Sequence, residues 1–267
     1  MSAAVLGAYV EGVGLLGPGL TGWASGARIL AGEAPWVSAP TVLPAPEGLP
    51  PAERRRTGAI VRLTLAAGLE ATRHAGADPA QLPAVFSSSG GDGENCHAIC
   101  EVLAGTERQL SPTRFHNSVH NAAAGYWGIA TGATAASNAL CAYDASFAAG
   151  LLEALTQVVT EERAVLLIAY DAGYPEPIRA VRPIPDPFAV AFVLGPRRTP
   201  AALGRIEAHF TDAPPDTLAS PLEVLRHAIP AARSLPLLVP LARASAATTV
   251  LEYLGNVGLA VKVSAWR

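Results

Sequence analysis

The sequence predicts an α/β fold with a buried sheet, followed by a C-terminal helix and β-hairpin. Apolar strand-like runs alternate with helix-like runs along most of the chain, as is typical of a sheet covered by helices. The run AVLLIAYDAG at 164–173 is almost wholly apolar, which indicates a central strand buried on both faces. Half of the 267 residues are hydrophobic, and no repeat or low-complexity linker divides them, so we expect one domain over 1–267.

Periodicity and turn residues place the individual elements. We expect strands at 4–13, 82–89, 134–140, 164–173, 188–195 and 205–210, and helices at 23–32, 52–76, 94–105, 117–132 and 144–162. The prolines between 35 and 51 predict an extended surface loop. Near the end of the chain, a helix-like run at 220–231 precedes two strand-like runs on either side of Gly255-Asn256, which predict a hairpin with a tight turn.

The composition argues against several classes of partner. Charged residues make up 15% of the chain, the net charge is −3 and aromatic residues make up 6%, so we expect no nucleic-acid-binding surface. The first twenty residues lack the basic start of a signal peptide, and no apolar run is long enough to span a membrane. Three cysteines without a disulfide-like spacing favour a reducing, cytoplasmic location.

The stretch NALCAYDASFAAGLLEA at 138–154 contains the first candidate for chemistry. Cys141 comes just before a helix-like run, and a helix N-terminus stabilises a cysteine thiolate. One hypothesis is therefore a stand-alone acyl-transfer or thioester-hydrolysing enzyme that uses Cys141 with His116 or His120. The alternative is that Cys141 is a buried thiol at the end of a strand.

Two other clusters resemble metal sites but lack enough ligands. Cys96 and Cys100 share a helix face, but His97 points elsewhere and two further ligands are lacking. We therefore expect these three residues to pack in the core. His116 and His120 are four residues apart, and without a third ligand nearby in sequence we expect hydrogen bonding or an interface there. We therefore expect no metal and no cofactor.

Four longer stretches carry a family resemblance. They are VEGVGLLGPGLTGWASGARILAGEAPW (10–36), RRRTGAIVRLTLAAGLEATRHAGADPAQLPAVFSSSGG (54–91), SPTRFHNSVHNAAAGYWGIATG (111–132) and RPIPDPFAVAFVLG (182–195). In this order they resemble the N-terminal half of the β-ketoacyl synthases, condensing enzymes of the thiolase-like fold. The third stretch has His120-Asn121-Ala-Ala-Ala-Gly125 where the family carries P-N-x-x-A-G. The resemblance implies a truncated thiolase-like layered sheet over 1–212, and a family-specific helix and hairpin over 213–267.

The resemblance also assigns the nucleophile position. Counted without gaps from the SSGG turn at 88–91, the family's A-C-S-S-S-L-V-A-L-H-x-A motif falls on 143–154. Asp144 then stands where the family has its cysteine, and Cys141 lies three residues earlier. A gap of three would return Cys141 to this position but would break the helix register and the match at Ser146. An aspartate can cap the helix, typically worth about 1 kcal/mol, but it is a poor nucleophile toward a thioester.

The resemblance implies a subunit that does not catalyse condensation by itself. Ketosynthases resemble one another in two catalytic histidines and a lysine from their C-terminal half, one of them in G-H-x-x-G-A-A-G. About seventy residues follow the FVLG strand here, and none carries that motif; His227 lacks the glycine context, and we expect it on a helix surface. The implied protein is a chain-length factor of the shortened type found in aryl polyene type II polyketide synthases. Such a factor forms a heterodimer with an active β-ketoacyl synthase, and an acyl carrier protein docks mainly on that partner.

The resemblance further implies where an acyl tunnel and a subunit interface would meet. The residues expected there are His116, His120, Asn121, Gly125, Tyr126, Asp144, Ser146 and Phe147. A malonyl-carrier decarboxylase that uses Asp144 is a third hypothesis, because some relatives with a polar residue in place of the cysteine are proposed to decarboxylate malonyl groups.

Overall fold

Nine β-strands form one mixed sheet in the computed structural model, which describes residues 6–106 and 108–265. In chain order the strands are β1 (Leu6–Gly17), β2 (Leu20–Thr21), β3 (Ala84–Ser87), β4 (Ser137–Leu140), β5 (Val165–Asp171), β6 (Phe188–Gly195), β7 (Gly204–Thr211), β8 (Ala247–Glu252) and β9 (Gly258–Ser264). They lie in the order β4-β3-β5-β6-β1-β7-β9-β8, and β2 pairs with β1.

The parallel part of the sheet positions the candidate site. β3 pairs in parallel with β4 and with β5, whereas the other pairs are antiparallel. The carboxyl ends of β3, β4 and β5 therefore meet at one edge of the sheet. Ligand sites of open α/β sheets lie at such edges.

Helices cover both faces of the sheet. They are α1 (Trp23–Ala31), α2 (Pro51–Arg54), α3 (Ala59–Ala75), α4 (Gly93–Ala104), α5 (Pro112–His116), α6 (Ala122–Thr131), α7 (Ser146–Glu161), α8 (Ile178–Val181), α9 (Glu223–Ala228) and α10 (Leu235–Ala242), with 3₁₀ turns at Tyr143–Ala145 and Pro230–Ser234. Side chains of β5 alternate between two cores: Val165 and Leu167 pack with residues of α7, and Leu166 and Ile168 pack with residues of α3. This layered α/β architecture confirms the predicted fold class.

Most predicted elements are present, with shifted ends. The strand expected at 4–13 is β1, which continues to Gly17; positions 4 and 5 lie outside the described residues. The helix expected at 52–76 is interrupted, because α2 ends at Arg54 and α3 begins at Ala59. The sequence does not predict β2, α5 or α8, which are too short for a periodic pattern, or α10, whose run LPLLVPLA is apolar on every side.

The C-terminal hairpin is present, and its tight turn lies within a five-residue connection. β8 and β9 pair from Ala247 with Val263 to Glu252 with Gly258, so residues 253–257 form the connection. This connection contains the expected tight turn, with Gly255-Asn256 as its two central residues. Gly255 has a φ of 57°, and the amide of Val257 donates a hydrogen bond to the carbonyl of Leu254 at 3.0 Å. This hydrogen bond closes a turn over residues 254–257.

Helix α3 lies unusually close to β1. Gly12 and Gly14 of β1 face the helix, and a Cβ atom on either residue would collide with a backbone carbonyl of α3, that of Ala71 or Ala67 respectively. Glycine at these positions therefore sets the distance between helix and sheet. None of the helices within the described ranges is both long and apolar enough to cross a membrane.

We expect Gly14→Ala to lower the free energy of unfolding by about 1–3 kcal/mol, because the added methyl group overpacks the contact between β1 and α3. Gly125→Ala is the matched control: Gly125 lies in α6, and a Cβ atom there meets nothing within 4 Å. The control should be neutral or more stable by up to about 1 kcal/mol. Urea unfolding followed by circular dichroism measures both, and a Gly14→Ala protein as stable as the control would contradict the close contact.

Candidate functional site

A sharp strand-to-helix turn follows β4 at the sheet edge. The chain leaves β4 at Leu140, passes through the 3₁₀ turn Tyr143–Ala145 and enters α7 at Ser146. Tyr143 has a φ of 54°, a left-handed conformation that is uncommon for a residue other than glycine. The Ser146 hydroxyl donates to the carbonyl of Tyr143 at 2.7 Å and accepts from the amide of Ala142 at 3.0 Å, which fixes the turn. We call residues 141–146 the elbow.

Asp144 projects from the elbow into an ion-pair network. Its Oδ1 lies 2.6 Å from a guanidinium nitrogen of Arg182, and its Oδ2 lies 3.0 Å from one of Arg233. The expected helix cap is wrong: the N-cap residue of α7 is Ala145, and no side chain caps this helix. Charge-assisted bonds to two guanidinium groups are stronger than a bond to a backbone amide, so the carboxylate is bound by the arginines.

The two arginines are themselves fixed by other contacts. The guanidinium of Arg182 stacks on the ring of Tyr143, 3.8 Å from the ring centroid, and Arg233 also forms an ion pair with Glu252 on β8. Both arginine side chains are largely buried, with 18% and 14% of their surface exposed. The network therefore joins the elbow to the loop after α8 and to the C-terminal segment, which we define as residues 213–265.

A small cavity of about 270 Å³ opens in front of Asp144. Residues of the elbow, of the loop after α8 and of the C-terminal segment line it: Tyr143, Asp144, Val181, Arg182, Pro183, Ile184, His227, Ala228, Pro230 and Arg233. His227 is exposed on α9, as the sequence predicts. A larger cleft of about 640 Å³ lies elsewhere, between the start of α3 and helices α4 and α5, and neither Asp144 nor Cys141 lines it.

Cys141 lies at the end of β4, but it is exposed. The expectation of a buried thiol is therefore wrong, because β4 is an edge strand and, within residues 6–106 and 108–265, no strand covers its outer side. The Cys141 thiol donates to the carbonyl of Ser89 at 3.2 Å. Within the described residues, no hydrogen bond joins Cys141 to His116 or His120, which are the bases that the acyl-transfer hypothesis requires.

A buried carboxylate that the sequence reading missed lies beside the elbow. Asp171, at the end of β5, accepts hydrogen bonds from the amide and the hydroxyl of Ser89 at 2.9 and 2.6 Å, and from the amide of Ala231 at 2.9 Å. Burial raises the pKa of the Asp171 carboxyl to about 6, although these hydrogen bonds act in the opposite direction. An acidic residue that ends an apolar strand, as in AVLLIAYD, is the signal that could have found it.

The cysteines and histidine of ENCHAIC do not form a site. Cys96 and Cys100 are exposed, so the expected core packing is wrong; Asn95 is the buried residue of α4, and this helix lies at the surface. The Nε2 atom of His97 lies 3.3 Å from Oε1 of Glu101, one turn further along the same helix. Across residues 6–106 and 108–265, no three or more His, Cys, Asp or Glu side chains are grouped to hold a metal ion.

The expected interface residues divide into exposed and buried sets. His116, His120, Asn121 and Gly125 are exposed, and the His116 ring meets Tyr126 edge-on with centroids 6.4 Å apart. Three others are buried within the chain's own core, namely Tyr126, Ser146 and Phe147. Tyr126 donates to Asn117 at 3.1 Å, and Phe147 packs beside Phe192 with ring centroids 6.0 Å apart. Tyr126 therefore supports the exposed residues from inside, whereas Phe147 belongs to the core on the other face of the sheet.

A family model described as the β-ketoacyl synthase N-terminal domain matches residues 29–235. The chain belongs to this family. No curated protein sequence matches the chain. The match confirms the resemblance seen in the sequence, and it places the elbow inside the segment that the family model covers.

Solved structures with the same fold include ketosynthase complexes. The ketosynthase ApeO in complex with its chain length factor ApeC from Xenorhabdus doucetiae has a chain that matches with a TM-score of 0.73 at 23% identity, over 96% of this chain and 98% of that one. The ishigamide ketosynthase/chain length factor matches with a TM-score of 0.72 at 13% sequence identity, and the match covers 97% of this chain and 99% of that chain. AntDE:AntF is a type II polyketide synthase acyl-carrier protein in complex with its ketosynthase. A chain of this complex matches with a TM-score of 0.75 at 12% sequence identity, and the match covers 97% of this chain and 99% of that chain. At these identities, the likeness shows the fold.

The buried Asp171 predicts a pH dependence of stability in this ketosynthase-like chain. Its pKa of about 6 in the folded protein exceeds the usual unfolded value near 3.9, so the folded state binds the proton more tightly. The contribution of Asp171 is then fully present below about pH 4 and is lost as the pH rises to about 6.

We expect the difference in unfolding free energy between wild type and Asp171→Asn to fall by up to roughly 3 kcal/mol between pH 4 and pH 7, at about 1.4 kcal/mol per unit of pKa. Other carboxylates titrate equally in both proteins, so their contributions cancel when the two unfolding free energies are subtracted. Urea unfolding of both proteins at pH 4, 5.5 and 7 measures it. A difference that is constant with pH would show that the Asp171 pKa is the same in the folded and unfolded chains.

Proposed function

We propose that the chain is a non-catalytic chain-length factor that forms a heterodimer with an active β-ketoacyl synthase in a type II polyketide system. The observation that carries this proposal is the ion-paired state of Asp144, the residue that the family resemblance assigns to the nucleophile position. A carboxylate attacks a thioester poorly, and the product would be a labile anhydride. Both oxygens of Asp144 are also engaged by guanidinium groups, which lowers their nucleophilicity further.

Neither enzymatic alternative gains support from the site. Acyl transfer through Cys141 needs a base, and the thiol donates to a backbone carbonyl instead. Decarboxylation of a malonyl group needs donors that stabilise the developing enolate. The guanidinium groups nearest to the elbow, Arg182 and Arg233, are already paired with Asp144.

The proposed subunit interface is the surface formed by β4, α5 and α6. β4 is an edge strand, and such a strand presents unpaired backbone groups that favour pairing with another chain. α6 contacts β4, and His116 of α5 contacts α6, so these elements form one surface. Large apolar side chains are exposed on it: Phe115 is 68% exposed and Val119, in the turn after α5, is 53% exposed. Exposed apolar side chains beside an open sheet edge are typical of an interaction site.

The finer assignments belong to the same proposal. The acyl tunnel would lie at this interface beside His116, His120, Asn121 and Gly125, and an acyl carrier protein would dock mainly on the active partner. The likeness to a chain of the ApeO–ApeC complex over nearly its whole length supports the shortened, aryl polyene type of factor. We propose a cytoplasmic complex, because its substrates are carrier-bound thioesters.

Phe115→Glu tests the interface. The tagged wild-type chain, co-expressed with a type II ketosynthase from the same genome, should retain that partner in equal amount through affinity purification and gel filtration. A buried, unpaired glutamate should reduce the recovered partner at least tenfold, which corresponds to about 1.4 kcal/mol of binding free energy.

Phe210→Glu is the matched control, because Phe210 is 55% exposed but lies on β7, distant from β4 in the strand order. This variant should bind the partner as the wild type does, and both variants should melt at the wild-type temperature. Failure of the wild-type chain to co-purify with the ketosynthase would contradict the heterodimer. Loss of the partner in Phe210→Glu but not in Phe115→Glu would contradict the choice of surface.

A further inference from the structure

The C-terminal segment packs against the elbow. Its 3₁₀ turn Pro230–Ser234 contacts α7, β5, β6 and the 3₁₀ turn at Tyr143–Ala145. Pro230, Ala231 and Ala232 are buried there. The segment therefore covers one side of Asp144, and 29% of the Asp144 side-chain surface stays exposed.

The arginines around Asp144 are placed by contacts that do not involve Asp144. The ring of Tyr143 supports Arg182 by stacking, and Glu252 holds Arg233 by a second ion pair. Planar guanidinium groups that are already oriented lose little conformational entropy when they bind a carboxylate. The site is thus preorganised for a carboxylate, whichever molecule supplies it.

The contacts of Asp144 join parts of the chain that are distant in sequence. Arg182 is 38 residues away and Arg233 is 89 residues away. Asp144 is the residue of the elbow that contacts both. Removing its side chain would leave two largely buried cations next to each other, an arrangement that disfavours the closed position of the C-terminal segment.

We infer that the elbow is a carboxylate-binding site filled by the chain's own Asp144, and that this internal ligand locks the C-terminal segment over the elbow. When the Asp144 side chain is removed, a small free carboxylate, formate or acetate, binds between Arg182 and Arg233 and restores the lock. The inference concerns the isolated chain, so its test is separate from that of the proposed heterodimer.

The test uses Asp144→Ala in the full chain. Its melting temperature should fall by roughly 5 °C or more, and amide hydrogen exchange should become faster in residues 226–234 and 247–252. Sodium formate at 100 mM should recover at least half of the lost melting temperature and slow the exchange, because a ligand of the folded state stabilises it by mass action. Sodium chloride at the same concentration should not.

Two matched variants separate the lock from general effects of salt and charge. Asp144→Asn fills the carboxylate position with an amide, so formate should not raise its melting temperature more than chloride does. Asp212→Ala removes an exposed carboxylate directly before the C-terminal segment and should leave melting and exchange at wild-type values. Equal effects of formate on wild type, Asp144→Ala and Asp144→Asn would overturn the inference, as would an Asp144→Ala protein as stable as the wild type.

Arg233→Gln covers the case in which Asp144→Ala does not fold. This variant keeps the carboxylate and removes the guanidinium that ties it to the C-terminal segment. Hydrogen exchange in 226–234 and 247–252 should become at least tenfold faster, whereas exchange in the central strand β5 stays close to that of wild type. Unchanged exchange in the two C-terminal stretches would overturn the lock.

Discussion

The carboxylate of Asp144 lies between the guanidinium groups of Arg182 and Arg233, and three separate parts of the chain depend on this contact. It joins the turn before α7, the loop after α8 and the C-terminal segment at the carboxyl ends of the parallel strands. Asp171 adds a second connection nearby, from the Ser89 turn to the amide of Ala231. Both carboxylates therefore hold the stretch Pro230–Ser234 against the sheet. At this edge, Asp144 and the two arginines bind one another, and none of the three has its charged group free for a substrate.

The elbow and the sheet edge at β4 consequently differ in the groups that they leave free for a partner. At the elbow, both oxygens of Asp144 are paired with arginines, and the cavity in front of it is small, about 270 Å³. The opposite condition holds at β4, where the sheet formed by the described residues ends and apolar side chains of nearby elements are exposed. Paired polar groups at the elbow and an open sheet edge favour a chain that acts through a partner. This combination is the physical basis for the proposed chain-length factor.

Local patterns in the sequence were enough to predict the sheet and its main helices. The apolar runs of β5 and β6 and the amphipathic pattern of α3 are strong, and the order of the family-like stretches identified the fold. Short or uniformly apolar elements, such as β2 and α10, carry no periodic signal. The burial of Cys96, Cys100 and Cys141 was predicted wrongly, because burial depends on what covers an element, and nothing local to α4 or β4 shows that they lie at an edge.

The candidate site could be located from the sequence but not described. Register alone placed Asp144 at the elbow, whereas its partners come from positions 182 and 233, and no spacing rule connects residues so far apart. The helix cap expected for Asp144 rested on local propensity, and two charge-assisted contacts from distant residues outweighed it. Asp171 was missed for the same reason, since its donor Ala231 lies 60 residues away.

The most direct measurement of the central claim is the intact mass of both subunits after incubation with an acyl-carrier thioester. The chain is incubated alone and together with its ketosynthase partner, and digested peptides locate any adduct. A non-catalytic elbow predicts that this chain keeps its mass in both incubations, while the partner gains the acyl group. An acyl adduct on Cys141 or Asp144 of this chain would contradict it.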